Sequence, residues 1–370
     1  MAGGGITING RRVGPGQPVY IVAEVSANHS GSLERARQIV RAAAAAGADA
    51  VKLQTYTPDT LTVRPAGGGF RIKDTPWDGQ DLYALYEQAQ TPWEWYPDLA
   101  AEAASLGLDL FSTPFDRTAV DFLEQFSPPC HKIASFENVD YELLRAVGAT
   151  GRPVIMSTGM ASAGEIADAV ATLREAGCTE LALLKCTSAY PSPPETMNLA
   201  TIPDLAARFG VVVGLSDHSL DVAVPVTAVA LGACLIEKHL TISRATPTPD
   251  SAFSLEPDEF AAMVSAVRVA SAAIGRVSYG RTAVEEASAV FRRSLFVVRD
   301  VAVGDVLTGA DVQAKRPGIG LHPRWLPMVT GRRVTRAVPA GTPVSWDLVE
   351  GGAPSSGQGE AAAEQDEHEG

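Results

Sequence analysis

Short apolar runs recur along the chain, each followed by a polar burst and then by apolar residues at helical spacing. The runs are 19–25 (VYIVAEV), 48–54 (ADAVKLQ), 108–113 (LDLFST), 130–135 (CHKIAS), 153–158 (PVIMST), 181–187 (LALLKCT), 211–216 (VVVGLS) and 234–239 (CLIEKH). Each is too short for a helix and apolar on both faces, as strands buried inside a parallel sheet are. Helix-patterned stretches at 33–46, 93–106, 119–126, 141–147, 163–176, 199–209 and 222–231 separate them, and another at 256–274 follows the last. Eight such alternations predict an α/β fold, a closed (β/α)8 TIM barrel, in preference to an open doubly wound sheet. No GxGxxG follows the first run, which weakens a dinucleotide-binding alternative. Ahead of the first run, 6–13 alternates around Asn9-Gly10, a strong hairpin signal.

Two departures from the alternation set the domain plan. The insertion at 56–90 is longer than a usual strand-to-helix loop and falls on the side where barrel enzymes keep their active sites. Its aromatic residues, Phe70, Trp77, Tyr83 and Tyr86, favour an ordered lid. Beyond 278 the helical pattern gives way to short strands and glycine turns. The expected plan is a catalytic barrel at 1–278, a linker at 279–293, a small β-rich domain at 294–350 and a disordered acidic tail at 351–370.

If the barrel closes, the residues ending each strand converge on one rim. His218 and His239 end the seventh and eighth runs, and neighbouring parallel strands lie about 5 Å apart, so the two imidazoles can share one divalent cation. The alternative is a pair of unrelated loop histidines, but their matched placement, in a chain with six histidines, favours a site. Lys52 and Lys132, with Thr113, Ser135, Ser157 and Ser216, suggest a cradle for a phosphate or carboxylate. Internal salt bridges of the lysines to Glu24 or Glu137 are the competing account; both carboxyls are also acid–base candidates. His29 serves its Asn-His-Ser-Gly turn or acts as a third ligand. Tyr190 faces a substrate or packs its loop. Asp250, in the stiff Pro-Thr-Pro-Asp-Ser stretch, binds a hydroxyl or caps the next helix.

Composition narrows the partners. A hydrophobic content of 46% with 20% charged residues fits a globular protein, and no apolar run approaches the roughly 18 residues of a membrane span. The first residues lack an apolar signal core, which predicts a cytoplasmic protein. The four cysteines have no metal-like or disulfide spacing and read as small buried residues. The net charge of −13 argues against a nucleic-acid partner, and five of the acids lie in the terminal tail. Positive charge for an anionic substrate must therefore be local.

At these residues the chain resembles the sialic acid synthase family. VAEVSANHSGS, ADAVKLQTY, KIASFE, IMSTGMAS, LLKCTSAYP, GLSDHS, IEKHLT and PDSAFSLEPDEF recur in the family's order across 6–350. The C-terminal segment, with Lys315-Arg316-Pro317-Gly318, is similar to the family's antifreeze-like (SAF) domain. TPWEW, CTSAYP and FRRSLF look most like its pseudaminic acid synthase branch. The resemblance implies condensation of phosphoenolpyruvate with an open-chain N-acetylated amino sugar, here a diacetamido-trideoxy-altrose, to a nine-carbon α-keto acid and phosphate.

It further implies that His218 and His239 hold a divalent metal (Mn, Mg or Co) and that Lys52, Thr113, Lys132, Ser135, Ser157, Ser188 and Ser216 bind phosphoenolpyruvate. Gln54, Glu137, Tyr190 and Asp250 would face the sugar, with Glu24 the leading acid–base group. Arg316 would reach the sugar of the other subunit in a domain-swapped homodimer. Ser188 stands where sialic acid synthases carry Asn, and ATPTPDS replaces their usual Gly-Gly-Pro-Asp, which leaves the acceptor sugar open. The rival readings are the same chemistry giving legionaminic or N-acetylneuraminic acid, a pyruvate-using metal aldolase, and an inactive carbohydrate-binding protein.

Overall fold

The eight apolar runs become eight parallel strands that close on one another. In a computed structural model describing residues 4–64 and 69–354, they are β3 (Tyr20–Glu24), β4 (Ala50–Thr55), β5 (Asp109–Pro114), β6 (His131–Ile133), β7 (Val154–Ser157), β8 (Leu181–Cys186), β9 (Val212–Asp217) and β10 (Leu235–His239). β10 pairs with both β9 and β3, which shuts the barrel. Before it, β1 (Ile6–Ile8) and β2 (Arg11–Val13) form the expected hairpin around Asn9-Gly10, with both turn residues at positive φ.

Strand pleating sorts the side chains into two cores. Outward residues such as Ile21, Val51, Met156, Leu183 and Ile236 pack under the surrounding helices. Inward residues include Val22, Ala50, Phe111, Ile155 and Leu184, and the hairpin's Ile6, Ile8 and Val13 pack against them at the N-terminal end. Continuing the inward parity toward the C-terminal rim gives Glu24, Lys52, Thr113, Lys132, Ser157, Ser216, Glu237 and His239. The apolar lower layers thus support a polar upper layer.

The same parity separates residues that are neighbours in sequence. Lys238 and Asp217 face the helix layer, where Lys238 Nζ lies 2.6 Å from Asp217 Oδ2 and both are fully buried. Lys238 also donates to the Ser219 carbonyl, while Asp217 Oδ1 accepts from Ser219 N at 2.8 Å. This buried pair pins the turn that carries His218.

The insertion is ordered where described. It holds short helices at Pro58–Leu61 and Leu82–Ala89, the second capped by Asp81, and between them a ladder joining Phe70 and Ile72 to Leu82 and Gln80. Residues 65–68 lie outside the described residues.

The chain divides between Gly275 and Arg276 into two compact units. In the second, a 3-10 helix at Ala283–Phe291 crosses the expected linker, and β11 (Ser294–Val297) pairs antiparallel with β12 (Val312–Lys315). Leu295, Val297, Leu307, Val312, Val334 and Val344 form its own small core. Most of the expected acidic tail, 355–370, lies outside the described residues. Among the described residues, no helix is long and apolar enough to cross a membrane.

Candidate active site

At the C-terminal rim of the barrel the polar layer opens into a cavity of about 360 Å³. Its floor is a compact charge cluster. Lys52 Nζ lies 2.8 Å from Glu24 Oε2 and 3.6 Å from Glu237 Oε1, and donates to Thr113 Oγ1 at 3.1 Å. Lys132 Nζ lies 3.9 Å from Glu237 Oε2 and donates to Ser157 Oγ at 2.7 Å. Ser216 Oγ donates to Glu237 Oε1 at 3.2 Å. The lysines are therefore internally paired, Lys52 with Glu24 as the competing account has it and Lys132 with Glu237 instead, and both also line the cavity.

Burial sets the protonation of this cluster. Glu237, although buried, is held below the usual carboxylate range by Lys132 and Lys52. For Lys52, burial opposes the charge, but Glu237 and Glu24 outweigh it and hold the ammonium above its ordinary value. Lys132 is lowered, by burial and by the nearby Lys52. Glu24 is raised, chiefly by burial and against the pull of Lys52. Glu137, half-buried with Oε2 lacking any hydrogen-bond partner, is pushed by burial up to about 7. It lines the cavity and is placed to exchange a proton near neutrality.

Above the floor stand the two histidines, with ring centroids 5.4 Å apart and both rings lining the cavity. His218 Nδ1 sits 3.0 Å from the Thr187 carbonyl, which fixes a proton on that nitrogen, so the neutral ring offers its lone pair at Nε2. Burial opposes its charge, but Cys186 and the Thr187 carbonyl outweigh it and hold the imidazole above its ordinary value. His239 is driven well below its ordinary value, first by burial and then by the surrounding cations, so its imidazole is neutral. Its buried Nδ1 has no protein partner. Two such imidazoles fit a divalent cation that keeps other positions for oxygen ligands. No group of three or more His, Cys, Asp or Glu side chains forms a cation cage among the described residues.

One wall is polar. Gln54 Nε2 donates to Glu24 Oε1 and to Ser26 Oγ, each at 3.0 Å. Asp250 accepts from the Ser26 hydroxyl and, at 3.0 Å, from Ala27 N, so it reaches across the loops instead of capping its own helical turn. Asn28 ties these loops together through Leu240 O, Ser254 Oγ and Thr248 Oγ1. The rest of the upper lining is largely aromatic and aliphatic, with Tyr190, Phe253 and the insertion's Trp77, Tyr86, Ile72 and Leu61.

Most residues singled out in the sequence meet here: Lys52, Gln54, Lys132, Ser135, Glu137, Ser157, Tyr190, Ser216, His218, His239 and Asp250 all line the cavity. Glu24, Thr113 and Ser188 stand behind the lining. Glu24 and Thr113 hold Lys52, and Ser188 abuts Gly159, whose backbone N donates to Ser135 Oγ at 3.0 Å. His29 is a loop-structuring residue: its Nδ1 accepts from Gly31 N and its Nε2 contacts Thr91 Oγ1, each at 3.1 Å. Arg316 is exposed in the second unit, its guanidinium 6.0 Å from the Phe291 ring centre.

Sequence reasoning gave no site role to Glu237, Ser26 or Phe253, and it read Trp77 only as part of an ordered lid and Cys186 only as a core residue. Cys186, read as a small core residue, is buried but borders the cavity, its thiol 4.0 Å from His218 Nδ1. Glu237 and Ser26 carried a usable signal, since both sit in the polar bursts that end the first and last barrel strands.

Comparison with known proteins accounts for this arrangement. The NeuB family profile matches residues 39–279, and that of the SAF domain matches 292–350. The pseudaminic acid synthase of Helicobacter pylori is 41% identical over 335 residues, covering 90% of this chain and 98% of that protein. The pseudaminic acid synthase of Campylobacter jejuni subsp. jejuni serotype O:23/36 is 43% identical over 326 residues, covering 87% and 94%. The crystal structure of N-acetylneuraminic acid (sialic acid) synthetase from Leptospira borgpetersenii, in complex with citrate, has a TM-score of 0.70 at 30% identity, covering 78% of this chain and 95% of that one. Likeness on this scale, running through the barrel and on into the smaller unit, settles the lineage: the chain belongs to the NeuB family and carries a SAF domain after its barrel.

Proposed function

We propose that the chain is a pseudaminic acid synthase, joining phosphoenolpyruvate to the aldehyde of an open-chain diacetamido-trideoxy-altrose. The observation that carries this reading is the convergence of Lys52 and Lys132 beneath two neutralisable imidazoles in one cavity. Relatives named for that activity, matched over nearly their whole length, support the choice of acceptor.

In this reading the two ammonium groups, with Ser135, Ser157 and Ser216, bind the phosphate and carboxylate of phosphoenolpyruvate. Thr113 and Glu24 keep Lys52 aimed at that anion. His218 and His239 hold a divalent cation, which when bound polarises the sugar aldehyde. The enolpyruvate methylene forms the new C–C bond to the aldehyde carbon, whose oxygen becomes a hydroxyl by taking a proton. Water adds to the cationic C2, loses its protons as the keto group forms, and phosphate leaves with its bridging oxygen. Glu137, ionising near 7 and facing the cavity, is the group best placed to move these protons. Gln54 and Asp250 orient the sugar hydroxyls, and Tyr190 packs beside His218 with ring centres 4.4 Å apart. The exposed Arg316 is assigned to the sugar site of a second subunit in a homodimer.

The test is turnover of purified protein with phosphoenolpyruvate and altrose-, mannose- or diacetamidomannose-type acceptors, read by phosphate release and product mass. The altrose sugar should give the highest kcat/KM. Preference for another acceptor rejects the choice of sugar, and turnover with pyruvate in place of phosphoenolpyruvate rejects the chemistry. Metal content measured after purification should fall in His218→Ala and His239→Ala; unchanged content removes the histidines from metal binding.

A further inference from the structure

The cavity is chemically lopsided, and the lopsidedness bears on which acceptor it takes. The reacting aldehyde carbon has to lie between the lysine floor and the two histidines, so the rest of the sugar extends away from the floor. Beyond the floor, the lining includes the carboxylate of Asp250 and the amide of Gln54. It also includes the 56–90 insertion, which contributes hydrocarbon and indole at Leu61, Ile72, Trp77, Leu82 and Leu85 and hydroxyl-bearing side chains at Tyr56, Thr75 and Tyr86. The polar atom of Trp77 is already committed: Nε1 donates to the Pro249 carbonyl at 2.8 Å. That bond fastens the insertion to the residue before Asp250. The indole packs tilted against Tyr190 and edge-to-face with Phe253, with ring centres 5.6 and 6.2 Å away. Those two rings in turn lie 4.4 Å from His218 and 5.0 Å from His239. A continuous aromatic surface thus runs from the insertion to the metal-competent pair.

Resting on the reading given under Proposed function, we propose that Trp77 is a specificity-determining residue: it forms the apolar wall against the methyl-bearing end of the sugar and selects a deoxy acceptor over a hydroxymethyl one. A methyl group seated there loses its water without leaving a polar group unpaired. A hydroxymethyl group in the same place finds no partner on Trp77, Ile72 or Leu61, because the indole N–H is engaged. Discrimination by an apolar pocket of this kind is bounded, at about tenfold to a hundredfold in kcat/KM. The same residue positions Asp250 through Pro249, so its loss has two separable parts, selectivity and loop order.

The experiment compares wild type with Trp77→Ala, Trp77→Phe and Ile72→Ser, using a trideoxy diacetamido sugar and its hydroxymethyl counterpart as acceptors. The expected result for Trp77→Ala and Ile72→Ser is a fall of about tenfold or more in the ratio of the two kcat/KM values, with the KM for phosphoenolpyruvate within about twofold of wild type. Trp77→Phe keeps the ring but loses the Nε1 bond; it should lower kcat/KM for both sugars and leave the ratio near wild type. An unchanged ratio in Trp77→Ala and Ile72→Ser, or a matching rise in the KM for phosphoenolpyruvate, overturns the proposal. Calorimetric affinities for the same two sugars read the ratio without turnover. Wild-type turnover with an unmoved ratio refutes this inference alone, whereas wild type that neither binds nor turns over either sugar refutes the proposed function with it.

Discussion

Glu137 offers the most direct quantitative test of the site. Its carboxyl is half-buried, one oxygen has no partner, and burial moves its pKa from an ordinary 4.5 to about 7. The folded protein therefore holds a proton that the unfolded chain releases between those values. A carboxyl raised in this way contributes stability that is fully present below 4.5 and is lost as pH rises through 7. The displacement from 4.5 to about 7 corresponds to about 3 kcal/mol at 1.36 kcal/mol per pH unit.

Glu137→Gln removes the titration while keeping the shape. The variant should gain on wild type by about 3 kcal/mol between roughly pH 4 and pH 8, most of it above pH 5. Urea unfolding followed by tryptophan fluorescence across that range measures the difference, since Trp77, Trp93 and Trp95 report on the barrel unit. Parallel stability profiles for the two proteins, or a gain that shrinks as pH rises, would refute the assigned protonation. The same variant should lose turnover at every pH, because an amide cannot relay protons.

Three other substitutions probe separate parts of the architecture. A Cβ at Gly159 would collide with Ser188 Oγ and lie 2.7 Å from Ser135 Oγ, so Gly159→Ala should raise the KM for phosphoenolpyruvate about tenfold while leaving that for the sugar near wild type; steady-state kinetics with each substrate varied checks both. Lys238→Met leaves the Asp217 carboxylate buried without its partner and should destabilise the barrel by about 3–5 kcal/mol, with Asp217→Asn in the same chain restoring part of the loss in urea melts. Lys132→Met should weaken phosphoenolpyruvate binding by a factor of about 30 or more in calorimetry, and an affinity within a few-fold of wild type would remove Lys132 from the anion site.

The barrel was legible because a two-sided apolar strand of a few residues has few other uses, and eight of them alternating with helix patterns leave little choice of topology. The rim chemistry was legible for the same reason, since a strand end has a defined place even when its neighbours in space are unknown. What the runs do not display is which way each terminal side chain turns. Glu237, Lys238 and His239 look like one polar burst, yet the pleat sends the first and last into the cavity and the middle one to Asp217. That division was available from the two-residue period. The position of Glu24 behind Gln54 and Lys52 depends on how three side chains share space, and so does the contact of Ser188 with Gly159. Trp77 had no periodic signal, because its place follows from a bond to Pro249, 172 residues away in sequence.

The cavity floor has a consequence for how a substrate arrives. Two ammonium groups there are already counterbalanced by Glu24 and Glu237, so an incoming phosphate ester adds negative charge to a neighbourhood that is close to neutral. Burial raises the proton affinity of Glu24 and Glu137 above that of an ordinary carboxylate, and a further anion pushes both the same way. Association should therefore draw hydrogen ions from the medium, and its heat should change with the ionisation enthalpy of the buffer; identical heats in Pipes and Tris would contradict this. Ligand capture and acid uptake become a single event, so the protein meets its chemistry already carrying the protons that chemistry requires.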